Sequence, residues 1–195
     1  MSLTFDDAPF EPHTSAILQT LDTYRIRATF FIVGKHARTW PRTLNAILAN
    51  GHEIGNHTEM HRPLAGLDKS VIETEILSLQ AWLEKTRGLR PGFFRPPEGK
   101  IDAATLAVLE EARLDLVFWD VDPMDWMPKG FLPIALNVAG RVQPGSILLL
   151  HMLNPQTLET LPVIIDYLKT AGFAIVPLSE LLGWPAYRPV RRKNE

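Results

Sequence analysis

Ala28-Thr29-Phe30-Phe31-Ile32-Val33, closed by Gly34, is the stretch that decides the fold. Its β-branched and aromatic residues run without polar alternation, the pattern of a strand buried on both faces in a parallel sheet. Toward the N-terminus, Thr14 can cap a helix carrying Ile17, Leu18 and Leu21 on one face. Toward the C-terminus, Pro41 suits the first turn of a helix with Leu44, Ile47 and Leu48, ending at Asn50-Gly51 before a short strand around Glu53-Ile54. Asp68 or Ser70 can cap the longest helix, where Ile72, Ile76, Leu79 and Leu83 form one core stripe until Gly88. Phe93-Phe94 is a brief strand, Asp102 caps a helix with Leu106 and Leu109 inward, and Leu114 to Trp119 is the next strand. A weaker helix spans Leu132 to Ala139. The apolar run Ile147-Leu148-Leu149-Leu150 ends on His151, and Asn154-Pro155 opens a helix with Leu158, Leu161, Ile165 and Leu168. Phe173 to Val176 reads as a final strand before a helix near Leu178 to Leu182. Strand and helix alternate about seven times without hairpin signals, an α/β pattern whose parallel strands form either a barrel or an open sheet.

At 195 residues and 46% hydrophobic side chains, the chain can bury one sizeable core, so one domain over residues 1–184 is expected. Residues 185–195 read as a solvated basic tail with Arg188, Arg191, Arg192 and Lys193. A formal charge of -2 lacks the basic excess that a phosphate backbone attracts, so nucleic acid is not an expected partner. The absence of cysteine excludes disulfides and thiolate ligands, leaving His, Asp and Glu to hold any metal. No apolar run approaches the roughly 20 residues of a transmembrane span, and no signal-peptide pattern is visible. Only Met1-Ser2-Leu3 precede Thr4-Phe5-Asp6-Asp7, which suggests a clipped first strand or an absent upstream export signal. Without a leader the default compartment is cytoplasmic, and it is extracytoplasmic if an upstream signal has been removed.

Adjacent carboxylates repel, so Asp6-Asp7 at a strand end calls for a cation or a shared proton. Fifty residues on, His57-x-x-x-His61 brings two imidazoles to one point if the backbone takes a helical turn. Asp7, His57 and His61 together offer one carboxylate and two imidazoles, a facial set for zinc, with cobalt or nickel equally suited in geometry. Asp6 then stands as a base toward water activated by the cation. Arg95, stiffened by two prolines, can hold Asp6 ionised. His151 has the intrinsic pKa to protonate a departing amine, with Asp125 orienting it. Trp126 and Leu149 suit an apolar wall around a small acyl group. His13, His36 and His52 read as surface or turn residues.

The order Thr4-Phe5-Asp6-Asp7, His57-x-x-x-His61, Arg95-x-Pro97-x-Gly99, Asp122-x-x-Asp125-Trp126 and Leu149-x-His151 resembles the five-motif signature of the polysaccharide deacetylase family, from Thr4 to about Leu182. The resemblance implies a distorted (β/α) barrel of seven units and a metal-dependent removal of N-acetyl groups from chitin-like or peptidoglycan sugars. It further implies Asp6 as base, Asp7, His57 and His61 as metal ligands, Arg95 tethering the base, and Asp125 with His151 as general acid. Pro97 and Glu98 would face substrate, with the Glu98 backbone N–H toward the oxyanion, and Trp126 and Leu149 would line the acetyl pocket. Three positions depart from the family pattern: Ala8 where glycine is usual, Glu98 where an aromatic is usual, and Met152 where aspartate follows the histidine. Glu98 would repel anionic substrates or favour amino sugars. A non-sugar amide or formamide substrate, or a silent carbohydrate-binding relic, are the alternative functions.

Overall fold

Each helix of the chain has one apolar stripe to bury, and laying it against a sheet returns the chain to start the next strand in parallel. The computed structural model describes residues 1–127 and 130–190. Its elements are β1 (Ser2–Ala8), α1 (His13–Tyr24), β2 (Thr29–Ile32), α2 (Gly34–Thr39), α3 (Pro41–Ala49), β3 (Glu53–Asn56) and α4 (Lys69–Arg87), followed by β4 (Phe93–Phe94), α5 (Ala103–Ala112), β5 (Asp115–Leu116), α6 (Phe131–Ala139), β6 (Ile147–His151), α7 (Pro155–Thr170) and α8 (Leu178–Leu182). The strands lie in the order β5-β4-β3-β2-β1-β6, all parallel.

The expected α/β barrel-like architecture is present, with six strands rather than seven among the described residues. Phe173 to Val176, expected as the last strand, forms none; Met1 spends its N-terminal amine on Ala174 O and its carbonyl on Val176 N. The strand expected over Leu114 to Trp119 pairs as a strand only at Asp115–Leu116. Beyond it the chain crosses the gap between the sheet's two edges. Val117 N donates to Phe94 O on β4, whereas Leu149 N of β6 donates to Val121 O, so one segment touches both edges and curls the sheet toward closure. β4 is equally short because Pro96 and Pro97 follow it without N–H donors.

Local signals explain the helices. Asp102 Oδ1 accepts from Thr105 N at 2.8 Å, capping α5, and Gly88 ends α4 in the left-handed region at φ 64°. Thr14 sits inside α1 and bonds Phe10 instead of capping, and Leu106 faces solvent. α2 was not expected: Gly34 ends the buried strand and also starts this helix. Phe5 and Phe30 stack at 5.1 Å in the main core. Phe31, Phe93, Val117 and Leu178 form a smaller cluster. Gly55 admits Phe31 to it, since a Cβ there would stand 2.6 Å from the ring.

The basic tail is anchored where it is described. Gly92 N donates to Ala186 O at 2.7 Å, Arg188 N to Arg90 O at 2.8 Å, and the Arg188 guanidinium pairs with Asp115. Arg191, Arg192 and Lys193 lie outside the described residues. β4 is too short to pair along all of β3, and the Tyr187 hydroxyl fills the gap by accepting from Ile54 N at 3.2 Å. Tyr187→Phe removes that acceptor from a buried amide and is expected to cost about 1–2 kcal/mol in urea unfolding, with the fold retained.

Candidate active site

Successive strand residues point to opposite faces, so adjacent carboxylates on a regular strand cannot share one site. Here β1 is irregular. Phe5 pairs with Phe30 and Ala8 with Ile32, so Asp6 and Asp7 together oppose Phe31, and the strand carries one extra residue. Asp7 takes up the kink with φ 68°, a left-handed conformation that costs a non-glycine residue about 1–2 kcal/mol. Both carboxylates therefore border one cavity, and both stand inside β1 rather than beyond it. β1 runs over seven residues, Ser2–Ala8.

Arg95 lies directly after β4 with its side chain fully buried. Nη1 donates to Asp6 Oδ1 at 2.8 Å and Thr4 Oγ1 at 2.7 Å, Nε to Val117 O at 3.2 Å and Nη2 to Phe118 O at 3.0 Å. Its guanidinium carbon sits 4.1 Å from the Phe31 ring centre. Burial pushes the Asp6 carboxyl up, but Arg95, with His57 and His151, outweighs it and holds Asp6 below the usual carboxylate range.

His57 follows β3 and donates from Nδ1 to the Arg95 carbonyl at 2.7 Å, which turns Nε2 toward the carboxylates. Burial holds the ring below its ordinary pKa, against the opposing pull of Asp6 and Asp7, so it stays neutral with a free lone pair. His61 approaches from the other side, its Nε2 3.2 Å from Asp7 Oδ1 and its ring 5.0 Å from that of His57. The rings do not meet through a helical turn as expected. Residues 57–61 form a bend with left-handed Thr58 and His61 (φ 68° and 59°), held on one side by Glu59 N donating to Glu75 O at 2.7 Å. One donor atom from each of Asp7, His57 and His61 lies within 4.8 Å of the others. One carboxylate and two imidazoles, one of them fixed in tautomer by its other nitrogen, fit a divalent cation.

Opposite them stands His151, the last residue of β6, whose Cα is in register with Asp6 on β1. Its Nδ1 donates to Asp125 Oδ1 at 2.7 Å. Asp125 Oδ2 accepts from His151 N at 2.8 Å and Thr157 Oγ1 at 2.6 Å. Burial lowers the His151 pKa, but the Asp125 bond and charge, with Asp6 and Asp7, outweigh it and push the ring up to about 9.

A family profile for polysaccharide deacetylases matches residues 1–117. Over 93% of its length the chain is 35% identical to a Bacillus cereus peptidoglycan-N-acetylglucosamine deacetylase, of which it spans 67%. It is 32% identical to the chitooligosaccharide deacetylase of a Bradyrhizobium species, covering 92% of this chain and 89% of that one. The chain belongs to the polysaccharide deacetylase family. Among solved structures, a peptidoglycan N-acetylglucosamine deacetylase in complex with a naphthalenyl N-oxidanyl-benzamide superposes with TM-score 0.92 at 34% identity, covering 96% of this chain and 89% of that one.

The cavity of this polysaccharide deacetylase measures about 480 Å³ and is bordered by Asp6, Asp7, His57, His61 and His151, with Trp126 and Leu149 as the expected apolar wall. Trp119, Asp122 and Lys100 also line it and went unassigned in the sequence. Trp119 ends the strand expected over Leu114 to Trp119, but the chain there lies beyond the strand pairing of Asp115–Leu116. Pro97 is buried. Glu98 is left-handed at φ 57°, and its carboxylate pairs with Lys100 Nζ at 2.8 Å, so the rim does not carry the bare negative charge expected. Met152 is buried beneath His151, against Thr14 Oγ1.

The remaining histidines are not the surface or turn residues expected. His52 is buried and bonds Ala28 N at 3.1 Å. His13 Nδ1 donates to Met152 O at 2.7 Å and His36 Nδ1 to Asp7 O at 2.9 Å, both next to site residues. Arg95→Met leaves Asp6 buried without its hydrogen-bonded guanidinium and is expected to cost about 3–5 kcal/mol at pH 7. Because the native pKa of Asp6 is depressed, the stability it contributes is present above about pH 4 and lost as pH falls further. The deficit in urea unfolding should therefore shrink in acid.

Proposed function

We propose that this polysaccharide deacetylase hydrolyses the acetamide of N-acetylated amino sugars in peptidoglycan or chitin-type chains. The observation that carries the reading is the β1–β6 register, which sets a depressed-pKa carboxylate, Asp6, beside a raised-pKa imidazole, His151, at one cavity. Two titratable groups pushed apart in this way suit a base and an acid.

A divalent cation held by Asp7, His57 and His61, zinc being the best match with cobalt or nickel as alternatives, would polarise the amide carbonyl and acidify water. Asp6, ionised through Arg95, accepts the proton of the attacking water. His151 stays cationic at neutral pH through Asp125 and delivers the Nε2 proton to the departing amine nitrogen, so that acetate and a free amine leave. Trp126 and Leu149 exclude water around the acetyl methyl group, and the Glu98 backbone N–H is the proposed oxyanion donor. Trp119 presents a ring to a sugar face, and the Glu98–Lys100 pair gives the rim a polar edge without net charge.

Acetate and formate release from chito-oligosaccharides, peptidoglycan and small amides tests the substrate. Acetate from the glycans is expected, and formate or small-amide turnover alone would refute the reading. Asp6→Asn and His151→Ala should each lower kcat by about 10²- to 10⁴-fold while metal content is retained, whereas His57→Ala should lose the metal by elemental analysis. Since His151 must carry its proton to donate it, kcat should fall on the alkaline side near pH 9. Asp125→Asn removes the anion that raises this pKa and should move the alkaline limb of the pH–rate profile to lower pH.

A further inference from the structure

We infer that α2 is a clamp that fixes the geometry of the ligand triad, with His36 as the positioning residue for Asp7; this rests on the reading of Asp7, His57 and His61 as metal ligands. A left-handed residue in a bulge is maintained only where its surroundings over-determine it. The Asp7 carbonyl, turned out by the bulge, is caught by the His36 ring, with Nδ1 2.9 Å from the oxygen. A carbonyl only accepts, so Nδ1 carries the proton. The ring itself is set by Trp40 at 5.5 Å and Phe10 at 6.0 Å between centroids.

The same short helix holds the other ligand-bearing segment. Gly34 N donates to Thr58 O at 3.0 Å and Lys35 N to Glu59 O at 2.8 Å, while Arg38 Nε and Nη2 each reach the Glu59 carboxylate at 2.9 Å. The contact is close: a Cβ at position 34 would stand 2.3 Å from Glu59 Oε2, so the Glu59 side chain would have to move. α2 thus grips both the bulge bearing Asp7 and the bend joining His57 to His61, three residues of which are left-handed (Asp7, Thr58 and His61). His36 is not among the cavity-lining residues, so its action passes through the Asp7 backbone. His13 makes the equivalent bond to Met152 O, on the acid side of the cavity.

Zinc titration calorimetry on chelator-stripped protein, paired with the melting temperature of each zinc-free sample, separates positioning from bulk stability. His36→Phe keeps an aromatic ring against Phe10 and Trp40 but removes the donor; zinc affinity is expected to fall by about 10- to 100-fold, as for other partners that orient metal ligands. His36→Asn returns an N–H near the same place and should restore most of the affinity. His13→Phe removes an equally structural bond and should leave zinc affinity unchanged. Wild-type affinity in His36→Phe overturns the clamp, as does an affinity loss in His36→Asn as large as in His36→Phe, or an equal loss in His13→Phe. Failure of the unaltered protein to bind zinc overturns the ligand reading and the inference with it.

Discussion

The extra residue in β1 is the constraint on which the site depends. A regular strand would send Asp6 and Asp7 to opposite faces of the sheet, one toward the cavity and one toward the helices. Opposing Asp6-Asp7 to Phe31 alone breaks that alternation, so both carboxylates border one cavity through one local kink. The strain is modest, and it is distributed over contacts from α2 and from the next strand. Ala8, at the position where the family usually has glycine, is fully buried and resumes the pairing with Ile32, so a methyl group is accommodated.

Two close carboxylates also set an electrostatic problem, and Arg95 answers half of it. A buried guanidinium and carboxylate each lose hydration, and that loss is recovered only when the remaining donors are satisfied. Arg95 meets this condition with two backbone carbonyls and a threonine hydroxyl besides Asp6. Its own carbonyl fixes the His57 tautomer. One residue therefore orients the Asp6 carboxylate and the His57 ring together. The other carboxylate, Asp7, lies beside the imidazoles of His57 and His61, a group that could hold a divalent ion.

Asp6 and His151 are pushed apart in pKa by their environments rather than by residue type. Asp6 sits against a cation and goes down; His151 sits against an anion and goes up. Their juxtaposition follows from β1 and β6 being neighbours, although 144 positions separate Asp6 from His151, because parallel pairing in register brings equivalent strand ends level.

The sequence by itself determined the α/β class, most helices and which residues to expect around one site, because periodicity, caps and motif order are properties of short windows. Asp6, Asp7, His57, His61, Arg95, Asp125 and His151 were all nameable in this way. The bulge, the bend that joins the two histidines, the docking of Tyr187 into the gap left by β4, and the roles of His13 and His36 were decided only by tertiary structure. Each depends on a hydrogen bond between segments distant along the chain, and whether an imidazole meets a carbonyl or solvent is not encoded in its immediate neighbours. α2 was hidden for the same reason: with six residues and no side-chain cap it has little helical signal of its own, and its hydrogen bonds run to Asp7, Thr58 and Glu59 on distant segments.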